Sequence, residues 1–253
     1  MIKHLLSTTL LALLSVTALH AADAKVDKAK PSAAEPLQYE NCKSYDYPGR
    51  HAAILKIKAE LNPQVVFIGD SITHHWGGQP TSHLRAGETV LKSDLSAYRT
   101  LNLGFGHDRT QHVIWRLQNG EIDGISPDWV VIHIGTNNIN SKYSAQEILD
   151  GIRVICTEVR NRVPKAKIVL MAILPRGRQP GDGGRMAAAA ANKLIMAYGA
   201  EQKFITLDLT SQYVGADGVL PKELMPDGLH MSVEGYRIWA KALKAIFEGK
   251  QAP

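Results

Sequence analysis

Val65-Val66-Phe67-Ile68-Gly69-Asp70-Ser71 is an unbroken run of four apolar residues, then a glycine, a carboxylate and a hydroxyl. With no polar alternation, such a strand needs cover on both faces, as in a parallel sheet between helices. The same arrangement recurs on either side of it. A second strand is expected at 99–103, running into Asn102-Leu103-Gly104-Phe105-Gly106, and a third at 129–134, followed by Gly135-Thr136-Asn137-Asn138. The fourth and fifth fall at 167–173 and 204–207. Helical patterns occupy 50–60, closed by Asn62-Pro63; 110–118, with Val113, Ile114 and Leu117 inward; and 145–162, stopped by Pro164. Two more cover 186–199, with its alanine run from Ala187 to Ala191, and 232–248, with Ser232 as N-cap. Strands alternating with helices predict an α/β fold: one five-stranded parallel sheet, covered on both sides and joined by right-handed crossovers.

The chain has 253 residues, 45% hydrophobic and 21% charged, which suits one globular α/β domain. Net charge is +5 with the basic residues scattered, so no nucleic-acid partner is expected. Lys3 and His4 precede an apolar stretch, 5–19, broken only by Ser and Thr, with small-residue cleavage sites after Ala21 or after Ala24. That is the form of a secretory signal peptide over 1–24, and it predicts a secreted or periplasmic protein. No later run approaches the ~18 apolar residues of a membrane span, so no stable membrane insertion is expected. Residues 25–36 read as a linker and 37–250 as the domain. Cys156 lies beside Ile148, Ile152, Ile155 and Val159 at helical spacing and reads as a buried free thiol. Export leaves a disulfide with Cys42 open.

In open parallel sheets, sites form beyond the carboxyl ends of the strands. Gly69-Asp70-Ser71 follows the first strand, and Asp227-Gly228-Leu229-His230 precedes the last helix. A serine hydroxyl needs a neighbouring base, and a histidine base needs a partner on its other ring nitrogen. Asp227, three residues before His230 on a tight turn, can be that partner. The pattern predicts a triad in the chain order Ser71, Asp227, His230. The oxyanion formed by attack on an ester needs donors already in place. Candidates are the N–H of Ser71, the N–H of Gly104, whose missing Cβ would admit substrate, and the side-chain amide of Asn137.

These segments resemble the blocks of the SGNH, or GDSL-type, esterase superfamily, and most resemble the catalytic subunits of the platelet-activating factor acetylhydrolases of the Ib type. The likeness runs over 65–177 and resumes at 227–236. Its most specific part is Thr110-Gln111-His112-Val113-Ile114-Trp115-Arg116-Leu117-Gln118-Asn119-Gly120-Glu121, and Leu174-Pro175-Arg176-Gly177 is also similar. The resemblance implies a flavodoxin-like three-layer α/β/α sandwich, with Ser71 as nucleophile, Gly104 and Asn137 in the oxyanion hole, and Asp227 and His230 completing the triad. His107 stands where that group usually has glycine, and it could narrow or repolarise the mouth of the site. Asn138 stands where many superfamily members have Asp.

Other readings remain beside these. Asp227 and His230 could be surface residues at a helix entry, and Gly104 could be purely conformational. His74, His75 and His83 read as surface or pocket-rim residues rather than metal ligands, because adjacent histidines point apart and no carboxylates join them. No GxxxxGK[ST] motif exists, so no nucleotide cradle is expected, and no metal or cofactor is required. Arg176, Arg178 and Arg185 frame a glycine-rich loop, as solvated charge or as a site for an acidic substrate group. The expected function is an exported serine esterase that removes a short acyl group, acetyl foremost, from a small molecule or glycan. The alternatives are a lipid-directed acetylhydrolase or lysophospholipase, and a non-catalytic glycan-binding protein on the same fold.

Overall fold

A computed structural model describes residues 30–39 and 42–250. The expected leader, residues 1–24, lies outside the described residues. In chain order the elements are α1 (Tyr47–Leu61), β1 (Val65–Gly69), α2 (Ser71–His74), α3 (Glu88–Asp94), β2 (Thr100–Gly104), α4 (Thr110–Gln118) and β3 (Trp129–His133). They continue with α5 (Thr136–Asn140), α6 (Ala145–Arg162), β4 (Lys167–Met171), α7 (Gly183–Glu201), β5 (Ile205–Leu207), α8 (Thr210–Tyr213) and α9 (Val233–Phe247). The strands form one parallel sheet in the order β2-β1-β3-β4-β5. This is the doubly wound, flavodoxin-like order, with its switch point at β1 and β3.

Alternate residues of β1 enter two separate cores. Val66 and Ile68 join Ile114, Leu117, Ile148, Ile155 and Ile195 from α4, α6 and α7. Val65 and Phe67 join Leu91, Tyr236, Trp239 and Leu243 from α3 and α9. Each face of the strand is apolar because each has its own helical layer, hence the unbroken run in the sequence. In register, Gly69 stands opposite Gly104 on one side and His133 on the other. The carboxyl ends of β1, β2 and β3 are therefore level, and their loops leave from one edge.

Several expected boundaries move, for local reasons. Helix α1 begins at Tyr47 rather than at 50, because Asp46 caps it by accepting the Gly49 N–H at 2.9 Å, with Pro48 inside the first turn. Gly199, expected to end α7, lies within it: a Cβ there would meet Thr206 Cγ2 at 2.5 Å, so the glycine lets the helix lie on β5. The linker expected over 25–36 does not reach 36. Tyr143 Oη donates to the Pro31 carbonyl (2.6 Å), Thr110 Oγ1 to that of buried Ala33 (2.8 Å), and the Leu37 N–H to Gln111 (3.0 Å). The compact unit that holds the sheet starts at Pro31. Cys42 and Cys156 are both free thiols; Cys156 is buried, and burial pushes its thiol up to about 12.

Candidate active site

Gly69 ends β1 where a side chain has no room: a Cβ would lie 2.3 Å from the His133 carbonyl oxygen and 2.1 Å from Thr73 Oγ1. Asp70 is extended and buried, and its Oδ1 accepts the Ile72 N–H at 3.0 Å, which starts α2. Ser71, first in α2, thus projects its hydroxyl from the carboxyl edge of the sheet. Its Oγ lies 2.9 Å from His230 Nε2, although 159 residues separate the two in sequence.

Asp227 shapes the other half. Its Oδ1 accepts the N–H groups of Leu229 (2.9 Å) and His230 (2.7 Å), and its Oδ2 meets His230 Nδ1 at 2.7 Å. One carboxylate therefore fixes both the turn and the imidazole. Partial burial would raise its pKa, but the hydrogen bonds from His230 and Leu229 outweigh this and hold it below its usual value. Ser71, His230 and Asp227 form one hydrogen-bonded chain, able to pass a proton from Oγ to Nε2 while Nδ1–H stays on the carboxylate.

The loop after β2 departs from expectation at Gly104. Its N–H donates to Asn102 Oδ1 at 2.8 Å, so it is not available to an oxyanion. Its missing Cβ admits protein rather than substrate, because an atom there would lie 2.2 Å from the His74 nitrogen. Asn102, to which the sequence reading gave no role, pins α2 and the turn after it to β2, its Nδ2 donating to the carbonyls of Thr73 (3.1 Å), His74 (3.2 Å) and Gly77 (2.8 Å). Its signal was an amide inside an apolar strand.

Three residues on, His107 sits at φ +69, and its main-chain N–H meets no acceptor among the described residues. That left-handed backbone is one that glycine adopts without strain. The exposed His107 ring bonds Ser44 Oγ through Nε2 at 3.0 Å. Next to it, the Asp108 carbonyl accepts one N–H of Asn137 Nδ2 at 2.9 Å, leaving the second amide hydrogen for another acceptor. Asp108 is in turn fixed by Arg116 (Nη2–Oδ2 2.8 Å) and Tyr47 (Oη–Oδ1 2.8 Å), and Arg116 also pairs with buried Glu121. The Arg116 and Glu121 of the family-like block therefore serve this loop.

The expected rim histidines separate. His74 is buried, its Nδ1 accepting the Gly106 N–H at 3.3 Å. His75 stacks on the His230 ring (centroids 5.2 Å apart, planes 12° apart), and burial first, then the charge of His230, pushes it down to about 4. His83 is exposed. Among the described residues no three His, Cys, Asp or Glu side chains are grouped as metal ligands. The three loop arginines are neither free nor merely solvated. Arg176 takes Thr136 and Asn140, Arg178 takes the carbonyls of Leu220, Met225 and Pro226, and Arg185 takes those of Arg176, Gly177 and Gly218. Both Nη atoms of Arg176, the residue expected to bind substrate, are engaged by these protein contacts.

Known proteins resemble this chain in sequence or in fold. The chain is 34% identical over 197 residues to the platelet-activating factor acetylhydrolase IB subunit alpha1 of Bos taurus, covering 78% of this chain and 80% of that one. A GDSL-like lipase from Bacteroides thetaiotaomicron superposes with TM-score 0.63 at 22% identity, over 79% of this chain and 98% of that one. A catalytic mutant of an acetylxylan esterase from Geobacillus stearothermophilus does so with TM-score 0.57 at 20% identity, over 75% and 95%. The family model for GDSL-like lipases and acylhydrolases matches residues 67–238, from within β1 to within α9. That span takes in the Ser71 turn, both loops beside it and the Asp227–His230 turn, and the chain belongs to the GDSL-like lipase/acylhydrolase family.

Proposed function

We propose that this acylhydrolase is a serine esterase that removes short acyl groups, acetyl foremost, through an acyl-Ser71 intermediate. The observation that carries the reading is the unbroken chain from Ser71 Oγ through His230 to Asp227, at 2.9 and 2.7 Å. His230 Nε2 takes the Ser71 proton as Oγ bonds to the ester carbonyl carbon. The negative charge moves to the carbonyl oxygen, facing the N–H groups of Ser71 and His107 and the spare amide hydrogen of Asn137. On collapse, the bond to the leaving oxygen breaks and His230 returns the proton to it. Water then repeats the sequence on the acyl-serine, releasing the carboxylic acid and restoring Oγ–H.

Acetyl as the acyl group is supported by the acetylhydrolase relatives at 34% identity. For the alcohol part we favour a glycan, outside the cytoplasm, because residues 1–24 have the form of an export leader. A lipid alcohol is the second reading, favoured by those same relatives. Replacement Ser71→Ala deletes one oxygen and should lower ester turnover by about 10⁴-fold or more while the melting temperature holds. A folded Ser71→Ala protein with parental turnover would refute the mechanism. An acyl-chain series of chromogenic esters, followed by acetate release from acetylated xylan and from an acetylated lysolipid, separates the two alcohols.

A further inference from the structure

Building on the serine-esterase reading, we infer that Arg176 is a positioning residue for Asn137, and that the loop after β4 ties the oxyanion side of the site to the turn carrying Asp227 and His230. Helix α5 is only five residues long, from Thr136 to Asn140, too short to hold its own orientation. It follows Gly135, at φ +128, so the chain enters it through a position suited to glycine. Its anchors are therefore external. Arg176 Nη1 donates to the Thr136 carbonyl (2.7 Å) and to Thr136 Oγ1 (2.8 Å) at the first residue. Arg176 Nη2 donates to Asn140 Oδ1 (2.6 Å) at the last. One planar guanidinium spans the helix, and Asn137 lies between its two grips.

The same loop reaches the other way. The Gly177 N–H donates to the Gly228 carbonyl at 2.9 Å, inside the Asp227–His230 turn. Arg178 donates to the carbonyls of Leu220 (2.6 Å), Met225 (3.1 Å) and Pro226 (3.0 Å), the residues leading into Asp227. Arg185 closes the loop on itself through the Arg176 and Gly177 carbonyls (3.1 and 2.8 Å). Three consecutive residues, 176–178, thus bond to the support of the oxyanion donor on one side and to the support of the base on the other.

The test is a double-mutant cycle on the full chain with a chromogenic acetyl ester. Arg176→Ala should lower kcat about ten- to a hundredfold, less than the ~100–1,000-fold typical of losing a donor outright, with KM nearly unchanged. In an Asn137→Ala background the same change should cost less than about threefold, because the amide it positions is gone. Arg178→Ala should keep its full penalty in that background, since it supports the other half of the site. Arg176→Lys should fall between, because an ammonium cannot grip both ends. If Arg176→Ala does not fold, Asn140→Ala removes the exposed grip and takes its place in the cycle, with a smaller kcat loss that also vanishes without Asn137. Additive losses, a change confined to KM, or parental kcat would overturn the inference. Ser71→Ala run alongside keeps the two claims apart. If it is active, the esterase reading fails; if it is inactive while the cycle is additive, only the role of Arg176 fails.

Discussion

His107 holds a left-handed backbone, φ +69, which costs a residue with a Cβ about 1–2 kcal/mol. If its contribution is the main-chain N–H, the side chain is dispensable. His107→Gly should then keep kcat and KM within about twofold, because glycine supplies the same donor at the same φ. Stability should change by no more than about 1 kcal/mol, the relief of strain being offset by the lost Ser44 contact and by glycine's freedom in the unfolded chain. A tenfold rise in KM would mean instead that the imidazole touches substrate. Asp227 makes the opposite case, where side-chain charge is the function. Asp227→Asn keeps an oxygen to accept the Leu229 and His230 N–H groups, so the turn should persist. It loses the charge facing Nδ1, and kcat should fall about 10³–10⁴-fold, as when other triads lose theirs. Turnover above about a tenth of the parent would show that His230 is oriented by something else.

Between residue and molecule lies the contact of α2 with β2. Gly104→Ala would drive a methyl group into the backbone of His74, with no flexible side chain to yield. The expected result is a lowered melting temperature, by several degrees or more, together with lost turnover as α2 and Ser71 shift. An active Gly104→Ala protein of parental stability would contradict the 2.2 Å approach. This contact also marks the limit of what the sequence discloses. The motif showed that Gly104 matters but not whether substrate or a helix needs the space. Longer elements were legible: α4 and α6 match their expected limits because apolar residues recur there at helical spacing. Helices α2, α5 and α8, four or five residues each, carry no period to read. Ser71, Asp227 and His230 could be singled out because a few residue types can perform that chemistry. The partners of Arg178 could not, because they are loop carbonyls, which every residue possesses, and those of Arg176 could not, because Thr136 and Asn140 lie far from it in sequence with no local pattern to link them.

For the molecule as a whole, the buried histidines set the response to acid. His74, His112 and His133 are almost fully buried, and burial pushes them down to about 2, 3 and 4. In each ring a nitrogen accepts a main-chain N–H: His74 from Gly106, His112 from Arg109, His133 from Leu174. A protonated ring cannot accept, so protonation breaks a bond as well as burying a charge. The unfolded chain titrates these groups, and His75 stacked on His230, near ~6.5, so below that pH it binds about four protons the fold does not, and stability falls as pH falls. Asp70 and Asp108 oppose this. Burial raises each to about 7, so between that value and the ordinary ~3.9 the fold holds two protons the unfolded chain lacks. The difference is about two protons, or roughly 3 kcal/mol per pH unit between about pH 6 and 4.5. Over that interval the loss is about 4 kcal/mol, a large share of a total of about 5–15 kcal/mol, so the protein should be markedly less stable in mildly acidic buffer. Urea midpoints measured from pH 7.5 to 4.5 should fall steadily below pH 6.5, and His133→Gln should remove about one proton from the slope. A flat profile over that range would mean that these rings are protonated within the fold, and that the acceptor geometry assigned to them is wrong.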